Sequence, residues 1–165
     1  MEDPSRQKAE KTAFRILTLR PHSEQELRTK LGERGFGEEI VAAVLEKCRR
    51  LGYLDDAQYA RSRARELAVN RLFGDSRIGR DLRDRGIPEE LNRQAIAEAR
   101  AELTEAAAVE TLLHRKERAR ACPPLDDKQR LHLARGLLGK GFPRSLIYRT
   151  VWKGKEDEVH GDAGE

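Results

Sequence analysis

Apolar positions recur along the chain at a fixed helical spacing, in three copies. The copies are Leu27-x3-Leu31-x3-Gly35-Phe36, Ile78-x3-Leu82-x3-Gly86-Ile87 and Leu133-x3-Leu137-x3-Gly141-Phe142. Apolar residues four apart share one face of a helix, and glycine readily adopts the left-handed backbone that ends one. Each copy therefore predicts a short helix, a glycine stop and an apolar residue that turns back toward a core. Leu31, Leu82 and Leu137 occupy equivalent positions and should be buried.

Further helical segments flank each copy. One amphipathic segment follows every glycine, and another precedes every copy, at about residues 9–19, 56–72 and 105–119. Residues typical of helix starts stand nearby, with a capping box at Ser23-x-x-Glu26 and a cap at Asp55 or Asp56. Asp75-Ser76 and Asp126-Asp127 are further N-cap candidates. No segment alternates apolar and polar residues with a period of two, so no sheet is predicted.

This pattern predicts an all-α protein built from three tandem three-helix repeats that form an elongated, curved array. In such arrays each repeat contacts chiefly its neighbours. The predicted divisions are residues 1–54 for the first repeat, 55–103 for the second and 104–155 for the third. The acidic, glycine-containing tail at 156–165 is predicted to be disordered.

Composition narrows the class of protein. Charged residues make up 38% and aromatic residues 5%. The residues available for a hydrophobic core are therefore mostly aliphatic, which favours helices. The formal net charge of +4 is too small to indicate a nucleic-acid partner without a local cluster. No stretch approaches the ~20 apolar residues that span a bilayer, and the polar start does not resemble a secretory signal. We therefore expect a soluble cytoplasmic protein that does not bind membranes.

The sequence gives little support for catalysis. Cys48 and Cys122 lie far apart, and no histidine recurs together with a carboxylate or cysteine at metal-ligand spacing. There is no phosphate-binding glycine loop and no nucleophile elbow. We therefore expect no metal, no cofactor and no enzymatic activity.

Arginine is the strongest candidate signal for binding. Eight arginines and no lysine lie between residues 61 and 85, against four acidic residues. Guanidinium groups bind carboxylates and phosphates in a bidentate manner that an ammonium group cannot copy. Helical phase selects a candidate binding face of Arg61, Arg65, Arg77, Arg80 and Arg83. The alternative is a solvated surface whose arginines are paired with the protein's own acids.

The repeated helix pairs also resemble helix-turn-helix motifs. In those motifs the second helix places its first residues between DNA phosphates. Here these residues are Glu38-Glu39 and Glu89-Glu90 in the first two copies, which phosphates would repel. The third copy has Arg144 at this position, so the sequence does not exclude a DNA-binding role for that helix pair. Residues 104–155 are also basic, with 12 Lys and Arg against five acids.

Taken together, the motifs resemble the RecX family, regulators of the recombinase RecA. The resemblance runs from about Lys11 to Trp152 and depends on residues shared in order along the chain. These are Ser23-Glu24-Gln25-Glu26-Leu27, Gly35-Phe36, Gly52-Tyr53-Leu54-Asp55-Asp56, Tyr59-Ala60, Gly74, Arg77-Ile78, Gly86-Ile87 and Gly141-Phe142. Phe73 stands where family members often have another aromatic residue, and the Asp126-Asp127 start is loosely matched.

This resemblance implies a non-enzymatic regulator with three tandem three-helix repeats. Such proteins bind along the groove of RecA–DNA filaments, limit filament growth, and reduce ATP hydrolysis, strand exchange and coprotease activity. The expected partners are the RecA filament and the DNA phosphate backbone, with the chain itself a monomer. Two other classes stay open: a stand-alone DNA-binding helical module and a structural helical adaptor.

Overall fold

The fold is all-α, as the sequence predicts. The computed structural model describes residues 3–119 and 125–153, and over these ranges it contains nine α-helices, one π-helical segment and no strand. The predicted tail at 156–165 and Cys122 lie outside the described residues. The helices are α1 (Pro4–Leu19), α2 (Glu24–Gly32), α3 (Glu38–Arg50), α4 (Asp56–Arg65), α5 (Asp75–Asp84), α6 (Glu89–Glu102), α7 (Glu105–Arg118), α8 (Asp127–Gly139) and α9 (Arg144–Val151).

The repeated glycines end their helices by one shared hydrogen-bond pattern. Gly35, Gly86 and Gly141 have φ angles of 83°, 75° and 90°, in the left-handed region that favours glycine. After each glycine, the next N–H donates to the carbonyl of the leucine five residues earlier, as from Ile87 to Leu82 at 3.0 Å. This is a Schellman motif, which satisfies carbonyl groups at the end of a helix. The three repeated sequence segments thus share the same backbone conformation at the end of their first helix.

The described residues form two compact units. The first takes in the residues up to Arg63 together with Asp81–Ala95, and the second takes in Ala64–Arg80 together with the residues from Ile96 onward. The predicted boundaries at 54/55 and 103/104 fall in the short connections before α4 and before α7. The assignment of residues 1–54, 55–103 and 104–155 to three separate repeats stays a prediction.

The core of the first unit lies between α1, α2 and α3. Leu31 is fully buried there, as predicted, and Leu82 of α5 is also fully buried. Cys48 packs in the same core as a small apolar residue, and burial raises the pKa of its thiol. The cluster consists of Ala9, Ala13, Ile16, Leu27, Leu31, Val41, Val44, Leu45, Cys48 and Leu54.

The core of the second unit brings α7, α8 and α9 together around Leu137, which is 1% exposed. Its other buried members are Leu72, Ala108, Val109, Ala134, Phe142, Leu146, Ile147 and Val151.

Two glycines, Gly74 and Gly141, lie in close contact in the second unit. The Gly74 N–H donates to the Lys140 carbonyl at 2.8 Å, and a Cβ on Gly74 would lie 2.3 Å from the carbonyl group of Gly141. Only glycine fits this approach of two backbones.

The helix starts match most of the predicted caps. Ser23 forms the capping box with Glu26, Asp126 forms one with Gln129, and Asp55 accepts from the Gln58 N–H at 2.9 Å. Asp75 is not an N-cap as predicted: it is the first residue of α5, because the Gly74 carbonyl already accepts the Ile78 N–H. The predicted helical segment at 56–72 also differs, since α4 ends at Arg65 and Glu66–Asn70 is π-helical.

Candidate functional site

Two of the eight clustered arginines support the fold of the first unit. Arg63 and Arg85 both donate to the carboxylate of Asp81, at 2.9 Å and 2.8 Å. Arg85 also donates to Glu26 at 2.6 Å and to the hydroxyl of Tyr59 at 3.2 Å. Burial raises the pKa of Asp81, but the hydrogen bonds from the two arginines outweigh it and lower this pKa to about 2. These two guanidinium groups are therefore committed to internal contacts.

Arg65 is also paired within its own unit. Its Nε donates to Glu102 Oε2 at 2.7 Å and its Nη2 donates to Oε1 at 2.6 Å. This is the bidentate geometry that guanidinium forms with carboxylates. The side chains of Arg65 and Glu102 are 57% and 43% exposed, so the pair lies at the surface. A ligand for Arg65 would have to displace Glu102.

Arg77 is held against an aromatic ring at the start of α5. Its guanidinium carbon lies 4.0 Å from the centroid of the Phe73 ring, and its Nη1 donates to the Gly139 carbonyl at 3.1 Å. Stacking on a ring orients a guanidinium group while its outward N–H groups can still donate. Arg77 is exposed, so the arrangement presents an oriented cation at the surface of the second unit.

Arg80 and Arg83 follow on the same helix and are both exposed, as predicted from helical phase. The side chain of Arg80 forms no hydrogen bond or ion pair with any other residue that the structure describes. Arg83 pairs with the carboxylate of Glu89 at 3.9 Å, which is a weak exposed pair. Arg61 is exposed on α4 and has interactions of its own. Of the five predicted site residues, three thus lie on α5 and two on α4.

The structure adds two cations that the sequence did not connect with Arg77. Lys140 lies 5.0 Å from the centroid of the Phe73 ring that Arg77 also contacts. Burial lowers the pKa of Lys140, and the positive charges of Arg77 and Arg115 lower it further. We call Arg77, Arg115 and Lys140 the cation cluster. Arg77 and Lys140 are 63 residues apart, and no local signal in the sequence indicates that they meet.

The described residues show no arrangement that would hold a metal ion. Over residues 3–119 and 125–153, no three His, Cys, Asp or Glu side chains are grouped for metal binding. Over the same ranges, no helix is both long enough and apolar enough to cross a membrane.

Comparisons with known proteins decide the family. Residues 9–48 match the model of the first three-helix domain of RecX, and residues 55–96 match that of the second. A regulatory protein RecX from Thermus thermophilus is 35% identical over 150 residues, which cover 90% of this chain and 93% of that protein. The chain belongs to the RecX family. The first RecX domain model coincides with α1, α2 and α3, and the second with α4, α5 and part of α6.

Other RecX proteins agree over similar lengths. A regulatory protein RecX from Syntrophotalea carbinolica is 31% identical over 139 residues, which cover 84% of this chain and 90% of that protein. A crystal structure of regulatory protein RecX superposes with a TM-score of 0.72 at 27% identity, covering 90% of this chain and 72% of the other. RecX from Lactobacillus salivarius superposes with a TM-score of 0.76 at 19% identity, covering 90% and 96%, which supports the fold.

Proposed function

We propose that this protein binds RecA–DNA filaments and restrains RecA. It limits filament growth and reduces ATP hydrolysis, strand exchange and coprotease activity, and so modulates recombination and DNA repair. The observation that carries the proposal is RecX membership over two consecutive three-helix domains. The protein acts by binding, with no catalytic step and no cofactor, as a monomer in the cytoplasm where RecA works.

Helix α5 supplies the main contacts in this proposal. Arg80 has an exposed guanidinium with no partner among the described residues, so binding a carboxylate or phosphate breaks no internal contact. Arg77 is already oriented by Phe73, so little side-chain entropy is lost when its outward N–H groups bind. Within the described part of the chain, Arg83 has only its weak ion pair with Glu89 to break. These three arginines can therefore bind acidic groups of RecA or nearby DNA phosphates.

The other predicted arginines contribute less. Arg61 is exposed and can add a contact from α4. Arg65 must first exchange its bidentate pair with Glu102, so its net gain on binding is small. The cation cluster adds Arg115 and Lys140 to the basic surface of the second unit. Several weak contacts from one chain bind well together, because contacts made after the first are intramolecular.

The direct test is DNA-dependent ATP hydrolysis by RecA with increasing amounts of the purified chain. We expect the rate to fall at amounts well below one chain per RecA monomer. Raising the salt concentration should weaken the inhibition, because screening shortens the reach of exposed charges. An unchanged rate at equimolar chain, with RecA fully active on the same DNA, would overturn the proposal.

One observation favours a second function, direct binding to DNA. Helix α9 begins at Arg144 and has no acidic residue in its first turn, whereas α3 and α6 each begin with two glutamates. A helix start without carboxylates does not repel phosphates. If the chain is a DNA-binding module, it binds DNA without RecA and its affinity falls steeply with salt.

A further inference from the structure

Two aromatic rings stack on each other at the end of the second unit. The ring centroids of Tyr148 and Trp152 lie 5.5 Å apart, with an angle of 20° between the ring planes. Trp152 packs partly buried against the core of that unit. Tyr148 is 61% exposed. The tryptophan therefore fixes the orientation of a tyrosine ring that stands largely in solvent.

Two cations lie beside these rings. Arg149 and Lys153 line a shallow depression of about 240 Å³ together with Tyr148 and Trp152, and none of these four residues is acidic. Both cations are exposed, and neither pairs with a carboxylate anywhere in residues 3–119 or 125–153. Arg144, also exposed, lies one helical turn before Tyr148, on the same side of α9. An oriented aromatic surface is thus bordered by positive charges that have no carboxylate partner within the part of the chain that the structure describes.

We propose that this surface, formed by Tyr148, Trp152, Arg149 and Lys153, is a base-stacking site for single-stranded nucleic acid. Proteins that bind single strands combine aromatic side chains, on which bases stack, with cations that contact the backbone. Both parts are present here, on α9 and the two residues that follow it. A duplex offers only its phosphates, because its bases are already stacked on each other. An acidic peptide would satisfy the cations but would leave the aromatic surface unused.

The site is independent of the arginines proposed to contact RecA, which lie on α4 and α5. It does not depend on RecA regulation, so its test uses the full chain with DNA alone. Trp152 is the single tryptophan of the protein, so its fluorescence reports on the stacked pair directly. The probe is a short oligothymidylate at low salt, compared with an abasic strand that has the same number of phosphates.

The oligothymidylate should quench Trp152 fluorescence and bind several-fold more tightly than the abasic strand or a duplex of equal length. Stacking of one base on an aromatic side chain corresponds to about a fivefold or greater change in affinity. Tyr148→Ala should lose about this factor, whereas Tyr148→Phe should keep it. Tyr53→Ala removes a tyrosine that is 59% exposed in the first unit and should change nothing.

A second variant tests the cations separately. Arg149→Gln should weaken binding of both the oligothymidylate and the abasic strand. The slope of log affinity against log salt concentration should also become shallower, by about the release of one counterion. Circular dichroism checks that each variant keeps its helices. Equal affinity for the abasic strand, equal affinity for the duplex, or unchanged binding by the folded Tyr148→Ala variant would each overturn the proposal. Binding of polyglutamate that depends on Tyr148 would also overturn it, in favour of an acidic protein partner.

Discussion

The guanidinium of Arg63 donates two parallel hydrogen bonds to the carboxylate of Asp81, from Nε to Oδ2 and from Nη2 to Oδ1, both at 2.9 Å. Arg85 binds the same carboxylate and reaches Glu26 of α2. These contacts lie in the first unit, and each of the four side chains involved is less than one third exposed. The arginine-rich segment therefore has two roles: some of its members hold helices together and others face solvent.

The contacts around Asp81 predict a pH dependence of stability. The pKa of Asp81 is about 2 in the folded protein, below the usual value of about 3.9 in an unfolded chain. A lowered pKa stabilises the fold above the unfolded pKa, and this contribution is lost as pH falls from about 4 to about 2. Asp81→Asn should lower the free energy of unfolding by about 2 kcal/mol at pH 7. Urea melts at pH 7, 4 and 2.5 measure this difference, which should shrink toward the lowest pH.

Asp84→Asn is the matched control for this experiment. Asp84 lies on the same helix, is exposed, and makes no ion pair with any residue in the described part of the chain. Its variant should shift stability by no more than about 0.5 kcal/mol. A constant difference between the parent and Asp81→Asn at all three pH values would contradict the assigned role of the carboxylate.

Leu82 tests the packing of the repeat. Its side chain is fully buried, and its carbonyl accepts the Ile87 N–H that ends α5. Leu82→Ala should lower the free energy of unfolding by ~2–5 kcal/mol, because the truncation leaves a cavity. Leu19→Ala removes a leucine that is 80% exposed and should cost little. Denaturant melts in which the two variants behave alike would show that Leu82 is not a core position.

The close approach of Gly74 to Gly141 predicts a second stability difference. A Cβ on Gly74 would lie 2.3 Å from backbone atoms of Gly141, which cannot rotate away. Gly74→Ala should therefore cost about 3 kcal/mol, at the upper end for overpacking. Gly136 lies within α8, and an added Cβ there meets nothing within 4 Å. Gly136→Ala should stabilise the protein by about 0.5–1 kcal/mol, so thermal melts of the two variants should shift in opposite directions.

The sequence predicts the helices and glycine stops well, because both depend on residues close together in the chain. Leu31, Leu82 and Leu137 are buried as expected, and the three repeated glycines have positive φ. The partners of the arginines could not be predicted in this way. Arg85 meets Glu26 from 59 positions away, and Arg65 meets Glu102 from 37. Such pairs depend on how helices pack, which helical periodicity does not specify.

The acidic residue at the start of α4 shows the same limit. Asp55 caps its own helix, as predicted from local sequence. The neighbouring Asp56 instead accepts the Glu24 N–H at 2.8 Å, at the start of α2. In the second unit, Glu105 at the start of α7 accepts the Asp75 N–H of α5, also at 2.8 Å. Burial raises the pKa of both Asp56 and Glu105. The first residue of α4 thus caps α2, and the first residue of α7 caps α5. Helical periodicity in the sequence does not indicate these contacts.

The proposed role of α5 can be tested with two matched charge reversals. Arg80 and Arg83 lie three residues apart on α5, and Lys8 and Lys11 lie three apart on α1, with all four side chains exposed. Exposed substitutions of this kind usually change stability by only about 0.5 kcal/mol. Both double variants should therefore stay folded, with circular dichroism and melting close to those of the parent.

The most direct measurement is inhibition of RecA ATP hydrolysis on single-stranded DNA by the parent and these two double variants. The Lys8→Glu/Lys11→Glu variant should inhibit nearly as well as the parent. The Arg80→Glu/Arg83→Glu variant should need at least about tenfold more protein for the same inhibition, which corresponds to ~1.4 kcal/mol of lost binding. Equal inhibition by the folded arginine variant and the parent would contradict the proposal that α5 contacts the filament.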